Sequence, residues 1–252
     1  MPGSTGRSRG TGYFASTRAP RYSVLFALPL LLFYEGLASL LAGPRGQIRN
    51  GADALFRGAF IAVAGARGPA IFMGIVVLIG IALVAHDMKR TSEPLRLPYF
   101  AGMLAESSVL AVLFGLVIGI MTSQLLGAAH LLSMNSQGAI QSMNRPTRLM
   151  LSLGAGLYEE LFFRVVLVSG IAAGGRMIFG FGETAAASVA VVLSALLFSL
   201  FHYIPPYGDA FQIASFTFRF LSGLAFSALY ATRGFGIAAW THALYDAFLL
   251  LG

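Results

Sequence analysis

What most limits this chain is the recurrence of apolar runs about as long as a bilayer is thick. They cover residues 22–42, 69–86, 99–126, 149–173, 185–204, 211–231 and 235–251. A helix rises ~1.5 Å per residue, so about 20 apolar residues cross the ~30 Å hydrocarbon core. Only 11 % of residues are charged and 57 % are hydrophobic, whereas a soluble domain carries about 25 % charged residues. These features predict an all-α polytopic membrane protein with about seven transmembrane helices. A further helix over 52–66 is too short to span and is expected to be interfacial or re-entrant.

Residues 1–21 are rich in Gly, Ser, Thr and Arg and contain no acid, which predicts a disordered basic tail. Residues 22–252 are then expected to form a single membrane-embedded domain, with the residues able to carry chemistry concentrated in 149–252. The net charge of +7 lies mostly between apolar runs, which suits anionic lipid headgroups and offers no basic face to nucleic acid. The cations favour a cytoplasmic N-terminus, in a membrane expected to be the bacterial inner one. Cysteine is absent, so disulfides, thiolate catalysis and Cys-based metal sites are excluded.

Inside the run 149–173 stand Glu159, Glu160 and Arg164. Ionisable groups at that depth are costly and by default mark function. Glu160 and Arg164 are four apart and share a helix face, so they can neutralise each other. Glu159 points about 100° away and is left without that partner. An inert buried ion pair would explain Glu160 and Arg164 but not Glu159. Phe198 and His202 close a later run, and His242 and Asp246 share one face of the last. Together these groups supply a carboxylate base, imidazoles and hydrogen-bonding side chains, the parts needed to activate water and stabilise an oxyanion. The remaining intramembrane acid, Glu35, reads as a lone carboxyl buried in neutral form. His86 reads as interfacial and His130 as a loop residue.

The residues resemble the CPBP family of intramembrane endopeptidases, named for CAAX-protein and bacteriocin processing and also called Abi. Its motif Glu-Glu-x-x-x-Arg is matched by Glu159, Glu160 and Arg164, its Phe-x-x-x-His by Phe198 and His202, and its His-x-x-x-Asn/Asp by His242 and Asp246. The resemblance covers about residues 149–250. It implies hydrolysis of a peptide bond in a membrane-anchored or lipidated protein or peptide. Glu159 would be the general base, His202 would help to hold the water, and His242 with residue 246 would stabilise the oxyanion. Glu160 and Arg164 would be the supporting ion pair. Where prenyl-protein-processing members carry Asn, this chain has Asp246. An ionised Asp only accepts hydrogen bonds, so it must be protonated, orient His242, or serve another purpose. His202 lies near the end of its span, so the site assembles only if the loop at 203–210 dips inward or the helix boundaries shift.

No cofactor is expected. The rival within hydrolases is a zinc enzyme with Glu159, His202 and His242 as ligands, although no His-Glu-x-x-His helix is present. From other classes, a proton-coupled transporter or a non-catalytic immunity or scaffold protein could bury the same charges.

Overall fold

A computed structural model describes residues 12–43, 48–91, 93–127, 140, 142–204 and 208–251. Its helices are α1 (Tyr13–Thr17), α2 (Pro20–Leu40), α3 (Gly51–Ala64), α4 (Gly68–Arg90), α5 (Leu97–Leu126), α6 (Arg145–Phe179), α7 (Glu183–Phe201), α8 (Ile213–Arg233) and α9 (Phe235–Leu251). Six segments are long and apolar enough to cross a membrane: α2, the α3–α4 stretch, α5, α6, α7 and α8. The seventh expected span is α9, a helix of 17 residues. The protein is a multi-pass integral membrane protein.

The helix ends follow from local chemistry. Proline lies in the first turn of α2, α4, α5 and α6, where its missing N–H would be unpaired in any case. Asn144 caps α6 by accepting from Thr147 N–H at 2.9 Å, and Asn50 caps α3 by accepting from Ala52 N–H at 2.9 Å. The piece expected to be interfacial or re-entrant is α3. It folds back on α4 through one tight turn at Gly65–Arg67, with Phe56 stacked on Phe72 at 5.0 Å.

Helix α9 packs against α2, α5, α6 and α8, and α7 packs between α6 and α8. Much of the face α9 turns inward is apolar: Ile237, Ala238, Ala239 and Ala243 are buried, together with Thr241 and His242. Against it stands Gly156 of α6. A Cβ there would lie 2.3 Å from the Ala239 carbonyl oxygen and 2.6 Å from the Ala243 Cβ, so only glycine permits this approach. Two residues earlier, a Cβ at Gly154 would meet the Tyr34 ring at 2.4 Å and the Asn50 Cβ at 2.8 Å. Two glycines on either side of α6 therefore admit α9 and the start of α3 to the same stretch of helix.

Two expectations are corrected by the packing. From Tyr13 onward the supposed tail is helical and held in place. Tyr13 donates to Glu106 at 2.8 Å, and Arg233 donates to the Phe14 carbonyl and to Thr17 Oγ1, both at 2.9 Å. Averaging the composition over 1–21 hid the two aromatics and Thr17 that make these contacts. Residues 1–11, His130 and Pro205-Pro206 lie outside the described residues. Glu35 is not a lone carboxyl either. It accepts from Arg49 at 2.8 Å, Arg57 at 2.6 Å and Tyr158 at 3.0 Å.

Candidate active site

Around Glu160, α6 leaves α-helical geometry. Ala155–Glu159 and Leu161–Val168 both take the wider π turn, an uncommon form that tends to accompany functional sites. The stretch carries the three charged residues singled out from sequence. Glu159 and Glu160, adjacent in the chain, diverge to different neighbours.

Glu159 is buried and its two oxygens are treated differently. Oε1 accepts from Asn50 Nδ2 at 2.8 Å. Oε2 has no hydrogen-bond partner among the described residues and faces His202 Nε2 at 3.9 Å. His202 follows the last residue of α7, where its Nδ1 lies 2.8 Å from the Phe198 carbonyl. A carbonyl only accepts, so Nδ1 carries the proton and Nε2 of the neutral ring is the acceptor turned toward Glu159. Beyond α7, Asp209 N–H donates to the His202 carbonyl at 2.9 Å, and Asp209 pairs with Arg219 of α8. His202 thus reaches α6 although it stands at a helix end.

Glu160 joins two other partners. Its Oε2 is 3.3 Å from Arg164 Nε, an ion pair without hydrogen-bond alignment, and its Oε1 accepts from His242 Nδ1 at 2.8 Å. Arg164 is fully buried, with its guanidinium 4.6 Å from the Phe198 ring centre and 5.5 Å from that of Phe226. Such cation–π contacts contribute about 2 kcal/mol when desolvated and replace part of the solvation the cation has lost. Phe226 also stacks on His242 at 4.4 Å with the rings 19° apart. Asp246 lies one turn from His242 as expected, but its Oδ2 is 3.7 Å from Nε2, too far for a hydrogen bond. The carboxylate that fixes the His242 ring is therefore Glu160.

The structure brings Glu159, Glu160, Arg164, His202, His242 and Asp246 together. Among the described residues no three His, Asp or Glu side chains converge where a metal ion could sit. In the zinc set of Glu159, His202 and His242, His242 would ligate through Nε2, since its Nδ1 donates to Glu160. Sequence reasoning missed Asn50, which contacts Glu159 across 109 residues of chain. It also missed the cluster of Glu35, Arg49, Asp53 and Arg57 beside it. A signal was available, since Arg49, Asp53 and Arg57 recur every fourth residue at the start of a helix.

With the site in view, residues 142–248 match the sequence family described as type II CAAX prenyl endopeptidase Rce1-like. The match covers less than half of the chain. No curated protein and no solved structure matches significantly. The Rce1-like segment contains all six candidate residues, while Asn50 and the acid–arginine cluster beside it precede its first residue. The Rce1-like match supports a peptidase of the CAAX-type intramembrane endopeptidase class.

Proposed function

We propose that this protein hydrolyses a peptide bond near the lipidated C-terminus of a membrane-associated protein, using a water activated by Glu159 and no metal. The observation that carries this reading is Glu159 Oε2, a buried carboxylate oxygen without a hydrogen-bond partner among the described residues, 3.9 Å from His202 Nε2. A gap beyond direct hydrogen-bond reach between two polar atoms suits a bridging water. That water donates one proton toward Glu159 Oε2 and the other toward His202 Nε2. As its oxygen attacks the scissile carbonyl, the proton passes to Glu159, which later delivers it to the leaving amine. The developing oxyanion falls to His242. With Nδ1 held by Glu160, the doubly protonated ring keeps Nε2–H to donate. Arg164 balances Glu160, and Asp246 lies near Nε2 as a third charge. The Rce1-like match supports the prenylated class of substrate.

The test is cleavage of a farnesylated fluorogenic peptide by purified protein in liposomes. Wild type should cleave, and Glu159→Gln should lose about 10²–10⁴-fold in rate with an unchanged melting temperature. Activity within tenfold of wild type would remove Glu159 as the base. Absence of cleavage by wild type would favour a scaffold or transporter. Strong chelators should leave the rate unchanged. Loss that zinc restores would transfer the histidines to metal ligation.

A further inference from the structure

Asn50, which touches the proposed base, lies outside the matched segment. Asn50 stands at the entry to α3, and each hydrogen-bonding group of its side chain is committed. Its Oδ1 accepts from Ala52 N–H at 2.9 Å and its Nδ2 donates to Glu159 Oε1 at 2.8 Å. These bonds fix the amide orientation, because a flip would set Oδ1 against a carboxylate and Nδ2 against an N–H. The backbone is held as well. Asn50 N–H donates to Tyr34 Oη at 3.0 Å, and Tyr34 donates to Asp53 Oδ2 at 2.8 Å. Asp53 is in turn gripped by Arg49 at 3.1 Å and Arg57 at 2.6 Å, both of which also bind Glu35. Gly154 leaves room for the approach, since a Cβ there would collide with Tyr34 and Asn50.

We infer that Asn50 is a positioning residue for Glu159, and that the cluster of Glu35, Arg49, Asp53 and Arg57 is its mount. By occupying Oε1, the amide fixes the carboxylate rotamer and leaves Oε2 as the proton-accepting oxygen turned to His202. The N-terminal half of the chain thereby contributes to the reactive centre through one side chain. This inference rests on Glu159 acting as the base.

The position permits a clean separation of roles. Asn50→Ser keeps an N-cap of equal rank, but its hydroxyl is too short to reach Glu159. It should melt within a few degrees of wild type, lose about ten- to a hundredfold in kcat, as expected for a hydrogen bond to a charged group, and leave KM unchanged. Asn50→Asp also keeps the cap and replaces the donor with an acceptor facing a carboxylate, so it should lose at least as much. It decides the matter should the Ser variant not fold. The discriminating readout is the double variant: on top of Glu159→Gln, Asn50→Ser should change the residual rate less than twofold, because nothing is left to position. Full activity in a folded Asn50→Ser, or the same fold-loss in the Glu159→Gln background, would overturn the inference. Should Glu159→Gln itself remain active, the base assignment fails first, and that result is separate from a failure confined to Asn50.

Discussion

Two neighbouring groups of charges, one part-buried and one buried, differ in how fully their members are partnered. In the first, two acids face two arginines. Glu35 accepts from Arg49, Arg57 and Tyr158, and Asp53 accepts from Arg49, Arg57 and Tyr34. In the second, Glu159 Oε2, Glu160 Oε2 and Arg164 Nε and Nη1 lack hydrogen-bond partners among the described residues. Burying a charge is costly unless it is paired and hydrogen-bonded. A cluster in which every carboxylate oxygen accepts at least one hydrogen bond meets that demand and holds its shape. An under-partnered cluster keeps groups that can take a proton or meet a developing charge. The first group holds the second in place, with Asn50 joining them.

The largest expected effect that would sharpen this contrast is at Asp53. Asp53→Ala leaves two arginines and a tyrosine without their shared acceptor, and should destabilise by about 3–5 kcal/mol. Thermal unfolding in detergent should show it, whereas Glu159→Gln should melt like wild type. Equal melting temperatures in the two variants would erase the distinction between the clusters.

Gly156→Ala probes the contact that brings His242 to Glu160. Its Cβ would meet a backbone carbonyl that cannot rotate away, so α6 and α9 must separate. Overpacking of this kind costs about 1–3 kcal/mol, and the His242–Glu160 hydrogen bond should lengthen with it. Loss of kcat beyond the loss of folded protein is the expected result. An active variant of wild-type stability would show that the two helices need not touch here.

The smallest effect is expected at Asp246. Because Glu160 already orients His242 and Asp246 stands beyond hydrogen-bond distance, Asp246→Asn should keep activity within about tenfold, the discount of one modest interaction. It also supplies an amide donor of the kind prenyl-protein-processing members of the CPBP family carry. Asp246→Ala should lose more. An Asn variant as impaired as the Ala variant would mark the carboxylate itself as required, and Asp246 would then join the under-partnered group as an active member.

Short-range information was legible in the sequence. Apolar run length gave the spanning helices, because hydrocarbon thickness sets a length that composition must match. Spacing of four placed Glu160 with Arg164 and His242 near Asp246, because a helix turn closes over that interval. Three approaches were decided only by tertiary structure: Asn50 to Glu159, Glu160 to His242, and Glu35 to Arg49 and Arg57. Periodicity states which face of a helix is polar, but not which face of another helix meets it, nor at what height. Here that is set by how closely helices can approach at Gly154 and Gly156. His202, held at the end of α7 by the Phe198 carbonyl, joins the site from a helix terminus. The six candidate residues could be named one by one from the chain. Which oxygen of Glu159 is held and which is left open is a property of the packed helices alone.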